Sequence, residues 1–157
     1  MYSKKFMMAA LAQAKLAEKY DETPIGAVIC RDGAIIARGR NKREKKMNCL
    51  CHAEIDAINK ACKKLGAWRL EDCDLYVTLE PCPMCAGAII QARIKNLYFG
   101  AYDYKAGCAG SKINLFEPSM FNHDVNVEGG LEEAKAKALL QEFFKRLRAE
   151  KAKSKKD

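Results

Sequence analysis

The stretch "DLYVTLEPCPMCAGAIIQARIKNLYFGA", residues 74–101, decides the fold. It opens with a run rich in β-forming residues, 74–79, and closes with a second such run, 95–101. The segment between them has the length and spacing of a helix, and prolines near its start suit a helix's first turn. A strand, a helix and a strand in this order predict two parallel strands joined by a helical crossover.

The remainder of the chain extends this unit on both sides. Upstream, the apolar spacing predicts a helix over 3–19, two strands flanking a tight turn at Asp32-Gly33, and a helix from near Cys51 to Gly66. Downstream, it predicts a weak strand over 124–128 and a closing helix over 131–151. Helices that alternate with strands indicate an α/β fold, a three-layer α/β/α sandwich with a mixed five-stranded sheet. The first strand pair is expected to be antiparallel and the later strands largely parallel.

Length and composition favour one soluble domain. A chain of 157 residues that is 49% apolar and 31% charged suits a single domain, 1–157, with a basic tail from about residue 150. The N-terminus lacks the apolar core and cleavage site of an export signal, and no apolar run is long enough for a membrane helix. We therefore expect a cytoplasmic protein that does not enter membranes.

The eight cysteines are expected to serve metal binding and packing rather than disulfides. A reducing compartment, an ordinary core size and clustered spacing all favour metal ligation over cross-linking. Four cysteines outside the clusters are predicted to be buried small hydrophobes: Cys30, Cys62, Cys73 and Cys108.

The formal net charge of +8 is concentrated in two segments. Residues 145–156 carry seven positive side chains against Glu150, and residues 40–46 carry five against Glu44. Such runs are often solvated helix faces and frayed ends, and they are also typical of a surface that binds nucleic acid. Charge alone does not choose between these interpretations.

Potential metal ligands open two of the predicted helices. Cys82 and Cys85 are separated by about 300° around a helix, so both sulfurs project from nearly one face and can hold one ion. His52 and Glu54 differ by about 200°, so a metal bound to the histidine would have the carboxylate beside it rather than coordinated. We therefore predict that His52, Cys82 and Cys85 bind the metal.

One imidazole and two thiolates are three ligands for tetrahedral zinc, which leaves the fourth position to water and predicts a catalytic site. Two thiolates cancel the charge of Zn²⁺, so another group must accept the proton of that water, and Glu54 is the candidate general acid and base. This chemistry suits hydrolytic loss of ammonia from an amidine-like carbon. A CxxC pair alone also fits a closed zinc site or a redox dithiol, but neither needs the upstream His-x-Glu.

The combined pattern H-x-E and P-C-x-x-C is the signature of zinc nucleobase deaminases. Together with "CHAEIDAI", "LYVTLEPCPMCAGAII", "FGAYDYKAGCAGS" and "FNHDVNV", it makes the chain resemble the bacterial tRNA-specific adenosine deaminases, the TadA family of the cytidine/deoxycytidylate deaminase superfamily. The resemblance implies a cytidine-deaminase-like fold, a homodimer and one Zn²⁺ per subunit. It also implies conversion of the wobble adenosine to inosine in the anticodon stem-loop of a tRNA.

The resemblance assigns residues by position. It implies that His52, Cys82 and Cys85 bind zinc and that Glu54 is catalytic. It further implies a substrate-binding set: Asn41, Ala53, Asn122, His123, Phe144, Lys145, Arg146 and Arg148. The chain departs from the family pattern just before His52, where "NCLC", residues 48–51, replaces small residues and a Pro-Thr pair.

Two other functions remain open at this stage. One is a deaminase of a free base or nucleoside of the guanine or cytosine type, which the basic C-terminal helix argues against. The other is a non-catalytic RNA-binding module that zinc merely stabilises, which gains nothing from a carboxylate beside the metal. A comparison of turnover on a free nucleoside and on an anticodon stem-loop separates these possibilities.

Overall fold

The computed structural model describes residues 1–157 as five helices and five strands. They follow one another as α1 (Lys4–Lys19), β1 (Gly26–Arg31), β2 (Ala34–Arg40), α2 (Arg43–Lys46), α3 (Ala53–Leu65), β3 (Asp74–Leu79), α4 (Pro83–Gln91), β4 (Asn96–Ala101), β5 (Asn126–Glu128) and α5 (Glu133–Ser154). None of the helices combines the length and apolarity needed to cross a membrane.

The strands form one mixed sheet in the order β2-β1-β3-β4-β5. Strand β1 pairs antiparallel with both β2 and β3, whereas β3, β4 and β5 run parallel to one another. Helix α4 is the crossover that makes the β3–β4 pair parallel, as the opening stretch predicts. The predicted mixed five-stranded α/β fold is confirmed.

Alternation along the strands divides the core between the two faces of the sheet. On β1, Ala27 and Ile29 join the cluster under α3 and α4, while Val28 and Cys30 join the cluster under α1 and α5. Side chains of a strand point alternately to opposite faces, so strands buried on both faces are nearly continuously apolar. The helices on the two faces complete the predicted three layers.

Several elements differ from the sequence-based prediction. The four-residue helix α2 was not predicted, and it falls in the basic segment 40–46. Helix α5 continues to Ser154, so most of the predicted tail is helical, because the alanine, lysine and glutamate residues there favour helix. Strand β5 has only three residues, all of them exposed.

The cysteines are free throughout the chain. Three of the four that were predicted to be core residues are buried, namely Cys30, Cys73 and Cys108. The prediction is wrong for Cys62, which is half-buried because the end of α3 leaves it beside the loop, where its thiol lies 3.8 Å from the Trp68 carbonyl oxygen.

Gly39 on β2 sets how closely helix α3 approaches the sheet. A Cβ at this position would overlap the Ala53 carbonyl oxygen and lie 2.6 Å from the Ala57 nitrogen, both of them backbone atoms of α3. Only glycine permits this approach, and Ala53 lies between His52 and Glu54. The position of two predicted site residues therefore depends on a glycine of the neighbouring strand.

We expect Gly39→Ala to lower the free energy of unfolding by about 3 kcal/mol, because backbone atoms cannot move aside as a side chain does. Gly87→Ala on α4 is the matched control, since nothing lies within 4 Å of a Cβ there. That change should leave stability unchanged or raise it by about 0.5–1 kcal/mol, the helix-propensity difference. Urea unfolding of both variants measures the difference, and equal stabilities would contradict the close-approach argument.

Candidate active site

The N-termini of α3 and α4 bring the predicted metal ligands together. His52 is the residue before α3, Cys82 is the residue before α4, and Cys85 lies in the first turn of α4. One donor atom from each of these residues lies within 4.8 Å of the others. His52 and the two cysteines, which lie 30 and 33 positions further along the sequence, thus form one compact His/Cys/Cys group.

The spacing of this group suits a tetrahedral metal. Both the Cys82 and the Cys85 sulfur lie 3.6 Å from His52 Nδ1. Bonds of ~2.3 Å from zinc to sulfur and ~2.0–2.1 Å to nitrogen, at the tetrahedral angle, separate the two ligand atoms by about 3.6 Å. The donor set and its distances therefore fit Zn²⁺ without rearrangement.

The backbone at the two helix ends explains this placement. His52 and Cys82 are both in extended conformation, with ψ of 159° and 174°, and neither makes a side-chain capping hydrogen bond. The direction of their side chains is therefore set by the extended backbone that precedes each helix, and not by the angular spacing of residues within the helix. Pro83 at the first position of α4 favours such an entry. The free N–H groups of a helix start also stabilise a nearby thiolate.

The electrostatics of the two sulfurs favour a cation. Hydrogen bonds from the Cys85 thiol and then from His52 lower the pKa of Cys82 to about 4, so Cys82 is a thiolate at neutral pH. The same hydrogen bond, together with burial, raises the pKa of Cys85. The hydrogen bond to Cys82 also raises the pKa of His52. One negative sulfur is thus present before any ion binds, and a bound ion would displace the proton of the other.

Glu54 lies beside this group without belonging to it. Its side chain is buried, and burial raises its pKa to about 7, with contributions that oppose the rise from hydrogen bonds and His52. A carboxyl group with a pKa near neutrality can both accept and return a proton, which is what general acid–base catalysis requires.

A cavity of about 240 Å³ opens onto the site. It is lined by His52, Glu54 and Cys82 from the reactive group and by three other predicted residues: Asn41, Ala53 and Phe144. Cys85 is fully buried behind the cavity. The remaining lining comes from Thr23, Ile25, Arg43, Leu79, Glu80, Asp103 and Ala106.

Asn41 is held by its neighbours at the wall of the cavity. It is 5% exposed, its Nδ2 donates to the Thr23 carbonyl oxygen at 3.4 Å, and its Oδ1 accepts from the Arg43 N–H at 3.2 Å. These contacts fix the orientation of the amide and leave hydrogen-bonding capacity for a ligand. A side chain fixed in this way recognises a polar group without losing further rotamer entropy.

Two buried carboxylates that the sequence reasoning missed support the walls. Glu22 is 1% exposed and accepts hydrogen bonds of 2.9 Å from the N–H groups of Glu44 and Lys45, so it fixes the short helix α2 next to Arg43. Glu80 is 2% exposed and fixes the loop after β4. The sequence offers a signal only for Glu80, a charged residue that directly follows the buried strand β3.

Glu80 accepts four hydrogen bonds from one loop. The N–H groups of Asp103, Ala109 and Ser111 donate to its carboxylate at 3.2, 3.0 and 3.1 Å, and the Ser111 hydroxyl donates as well. This loop carries Asp103 and Ala106 into the cavity wall. A single carboxylate thus satisfies three backbone N–H groups of a loop that belongs to no helix or strand.

We expect Glu80→Gln to lower the free energy of unfolding by about 2–3 kcal/mol, because one oxygen becomes a donor that faces other donors. Glu117→Gln in the same loop is the control, since the side chain of Glu117 is exposed and its only partner is the Asn114 amide, and the change should cost less than about 0.5 kcal/mol. Urea unfolding compares the two variants. Similar small losses for both would show that Glu80 does not organise the loop.

Several predicted substrate-binding residues lie away from the cavity in this chain. The His123 Nε2 lies 2.7 Å from the Ile94 carbonyl oxygen, between α4 and β4, and Asn122 is exposed next to it. Arg146 lies 3.8 Å from Asp21 and 3.9 Å from Glu150. Neither Lys145 nor Arg148 lines the catalytic cavity, although Arg148 lines a neighbouring groove. Roles for these residues in binding substrate stay predictions.

Comparison with known proteins gives a consistent result. A family model described as MafB19-like deaminase matches residues 1–148. A tRNA-specific adenosine deaminase of Bacillus subtilis is 47% identical over 152 residues, covering 97% of this chain and 94% of the relative. The enzyme of the same name from Agrobacterium fabrum is 46% identical over 143 residues, covering 91% of this chain and 94% of the relative.

Solved structures agree. One from a study of A-to-I editing by tRNA:A34 deaminases at the wobble position of transfer RNA superposes with a TM-score of 0.81. It is 43% identical and covers 88% of this chain and all of that chain. A guanine deaminase from Nitrosomonas europaea superposes with a TM-score of 0.79 at 25% identity, covering 90% of this chain and 84% of that chain.

The fold, with a His/Cys/Cys group beside a buried glutamate, defines the class of nucleobase deaminases, and the match to the deaminase family model agrees. Within that class, relatives at 43–47% identity over most of the chain carry a single name. The chain belongs to the tRNA-specific adenosine deaminase family.

Proposed function

We propose that this protein hydrolyses the wobble adenosine of a tRNA anticodon to inosine and releases ammonia. The observation that carries the proposal is the meeting of His52, Cys82 and Cys85 within 4.8 Å at a cavity that the buried Glu54 also lines. The names of the relatives supply the substrate. Residues 1–157 would form one such domain, and a tRNA substrate agrees with the cytoplasmic location predicted from the sequence.

The metal that fits the donor set is Zn²⁺, one per subunit, held by His52 Nδ1 and the two cysteine sulfurs. When bound, zinc supplies Lewis-acid activation of a water molecule. Two sulfur ligands offset the charge of the ion, so the acidity that the ion gives to water is modest. The protein must therefore provide a base of its own, and Glu54, which lines the same cavity, would be that base.

Glu54 would carry out two proton transfers. In its ionised form it accepts a proton from the attacking water and delivers it to the ring nitrogen of adenine. Ionised again, it accepts the proton of the newly added hydroxyl group and delivers it to the departing amino group, which leaves as ammonia. Water adds at the carbon that bears the amino group, the C–N bond breaks, and the products are inosine and ammonia. Burial of the carboxyl group keeps both protonation states accessible near neutral pH.

The rest of the cavity would hold the base. Asn41, oriented by Thr23 and Arg43, presents an amide to the nucleotide, and Phe144 presents an aromatic ring at the mouth. An adenosine in an anticodon loop is already partly unstacked, which lowers the cost of moving it into a closed pocket. The homodimer implied by the family resemblance is part of this proposal, and sedimentation analysis of the purified protein tests it.

Incubation of the purified protein with total tRNA, followed by nucleoside analysis, tests the proposed reaction. We expect inosine to appear in the wild-type sample and not in one that contains Glu54→Ala. RNA binding at full zinc content without any inosine would refute the reaction and favour the non-catalytic RNA-binding module.

Deamination of a free purine is the second candidate, because solved guanine deaminases share the fold. Their identity to this chain is 25–35%, below the 43–47% of the tRNA-specific relatives. Ammonia release from guanine, adenosine and an anticodon stem-loop, measured at equal concentrations, separates the candidates. Faster turnover of guanine than of the RNA would replace the proposed function with the second one.

A further inference from the structure

One wall of the catalytic cavity consists of two chain segments that lie side by side, residues 22–25 and 41–45. Four residues of these segments line the cavity: Thr23, Ile25, Asn41 and Arg43. The backbone joins the two segments at one point, where the Asn41 N–H donates to the Ile25 carbonyl oxygen at 3.1 Å. The other hydrogen bonds between the segments are made by the side chains of Asn41 and Glu22.

Helix α2, which begins in the second segment, has little stability of its own. It is four residues long and contains no buried residue. A single helical turn does not form in isolation, because its first hydrogen bond fixes several residues. The helix ends at Met47, whose φ of 48° is a left-handed conformation that is unfavourable for a residue other than glycine. The position of α2 therefore depends on its contacts with the rest of the chain.

The free N–H groups at the start of α2 are satisfied by side chains from outside the helix. The N–H groups of Glu44 and Lys45 donate to the two oxygens of the Glu22 carboxylate, each at 2.9 Å. The Arg43 N–H donates to Asn41 Oδ1 at 3.2 Å. Glu22 and Asn41 thus cap one helix together, a role that the residue just before a helix usually fills. In α2 that residue makes no side-chain capping hydrogen bond.

Burial makes the contact between Glu22 and α2 strong. The residue is 1% exposed, and a buried carboxylate is costly unless hydrogen-bond donors surround it. Both of its oxygens accept from the backbone of α2, a donor that cannot rotate away as a side chain can. The burial of Glu22 and the position of α2 are therefore coupled, and each stabilises the other.

The orientation of the Asn41 amide depends on α2 in turn. Its Oδ1 accepts from the Arg43 N–H at 3.2 Å, and its Nδ2 donates to the Thr23 carbonyl oxygen at 3.4 Å, a long hydrogen bond. If α2 moves, Asn41 keeps only the longer contact, and its side chain gains rotamers. Glu22 thus acts on Asn41 through the backbone of α2.

We propose that Glu22 is a positioning residue: by capping α2, it holds the Asn41 amide in the orientation in which that amide meets the target nucleotide. The proposal rests on the proposed function, which gives Asn41 a contact with the nucleotide. Neither Glu54 nor any of the three metal ligands forms a hydrogen bond with α2. Loss of the Glu22 contacts should therefore weaken the binding of substrate and leave the proton transfers in place.

Hydrogen exchange and 15N relaxation of the zinc-loaded protein without RNA test the structural part of the proposal. In Glu22→Gln, an NH2 group replaces one acceptor and faces a donor, so the Glu44 and Lys45 N–H groups should exchange at least about tenfold faster. The order parameter of the Asn41 side-chain amide should fall from about 0.8 to below about 0.6. Cys73→Ala, at the end of β3 away from the cavity, is the control and should change neither quantity.

Single-turnover deamination of an anticodon stem-loop tests the functional part. We expect Glu22→Gln to raise the RNA concentration for half-maximal rate by about tenfold, the cost of about one hydrogen bond, and to change the rate at saturation by less than about twofold. Asn41→Ala should raise that concentration by a similar factor. In the double variant, Glu22→Gln should add less than about twofold, because its effect passes through Asn41.

Glu22→Asp provides a milder change at the same position. It keeps both acceptors on a side chain that is one methylene shorter, so it should show the same pattern with an increase of about threefold in the half-saturating RNA concentration. Thermal unfolding shows which variants are folded at the assay temperature. A variant that is merely less stable, such as Cys73→Ala, should keep the wild-type half-saturating concentration.

The possible outcomes separate this proposal from the proposed reaction. A half-saturating concentration for Glu22→Gln within about twofold of wild type would overturn the positioning role, as would a loss confined to the rate at saturation. Independent, multiplying effects in the double variant would show that Glu22 does not act through Asn41. If wild-type protein makes no inosine, the proposed reaction is wrong, and the exchange and relaxation measurements still decide whether Glu22 orients Asn41.

Discussion

Glu54→Ala is expected to lower the kcat for deamination by about 10³ or more, since general acid–base catalysis contributes ~10²–10⁴ and this carboxyl group serves two proton transfers. The zinc content should remain at one per chain, because all three donor atoms come from other residues. Quantitative metal analysis and single-turnover deamination of the same sample measure both quantities.

Glu54→Gln is the control for shape. It keeps the size of the side chain and removes its ability to accept a proton, so its kcat should be as low as that of Glu54→Ala. The free energy of unfolding should not fall, because removing the charge of a buried carboxylate also removes a desolvation cost. Full activity in either variant would refute the assigned proton transfers.

Cys85→Ala is expected to give the second large effect, the loss of both metal and activity. Two remaining protein ligands no longer complete a zinc site, so we expect the affinity for Zn²⁺ to fall by more than about 100-fold. The pKa of Cys82 should also rise, because the Cys85 thiol is the main donor to its sulfur. Competition with a chromogenic chelator measures the affinity, and nucleoside analysis measures the activity.

Cys73→Ala is the matched control, because Cys73 is as buried as Cys85 but contributes no donor atom to the group. It should lose about 1 kcal/mol of stability and keep its zinc. Retention of stoichiometric zinc by Cys85→Ala would exclude this sulfur as a ligand.

Much of the fold could be predicted because the sequence encodes it locally. Runs rich in apolar and β-forming residues, such as 74–79, mark strands that are buried on both faces, and the apolar stripe of residues 3–19 marks a helix that covers one face. The antiparallel β1–β2 pair follows from the turn at Asp32-Gly33, where both residues have positive φ. The ends of the elements were less predictable. Helix α5, for example, continues to Ser154, because the residues near position 150 favour helix although they make no apolar contact with the core.

The site was only partly predictable, for a physical reason. His52 and Cys82 are recognisable as ligand types, and their meeting follows from the order of the elements. The contribution of Glu80 depends on which loop folds back over it, and that of Glu22 depends on the packing of the short helix α2 against it. Both are tertiary relations between segments far apart in the chain, and neither leaves a periodic pattern in the sequence.

Phe144 reaches the catalytic cavity from a helix that packs on the sheet face opposite to α3 and α4. Under the proposed function, the residues that carry out the chemistry and this one contact with the substrate would therefore come from separately packed layers of one small protein. Substitutions at Phe144 would then alter the contact with the substrate while the His/Cys/Cys group at α3 and α4 keeps its geometry. Such a separation would let one fold accept a new substrate while its catalytic residues stay unchanged.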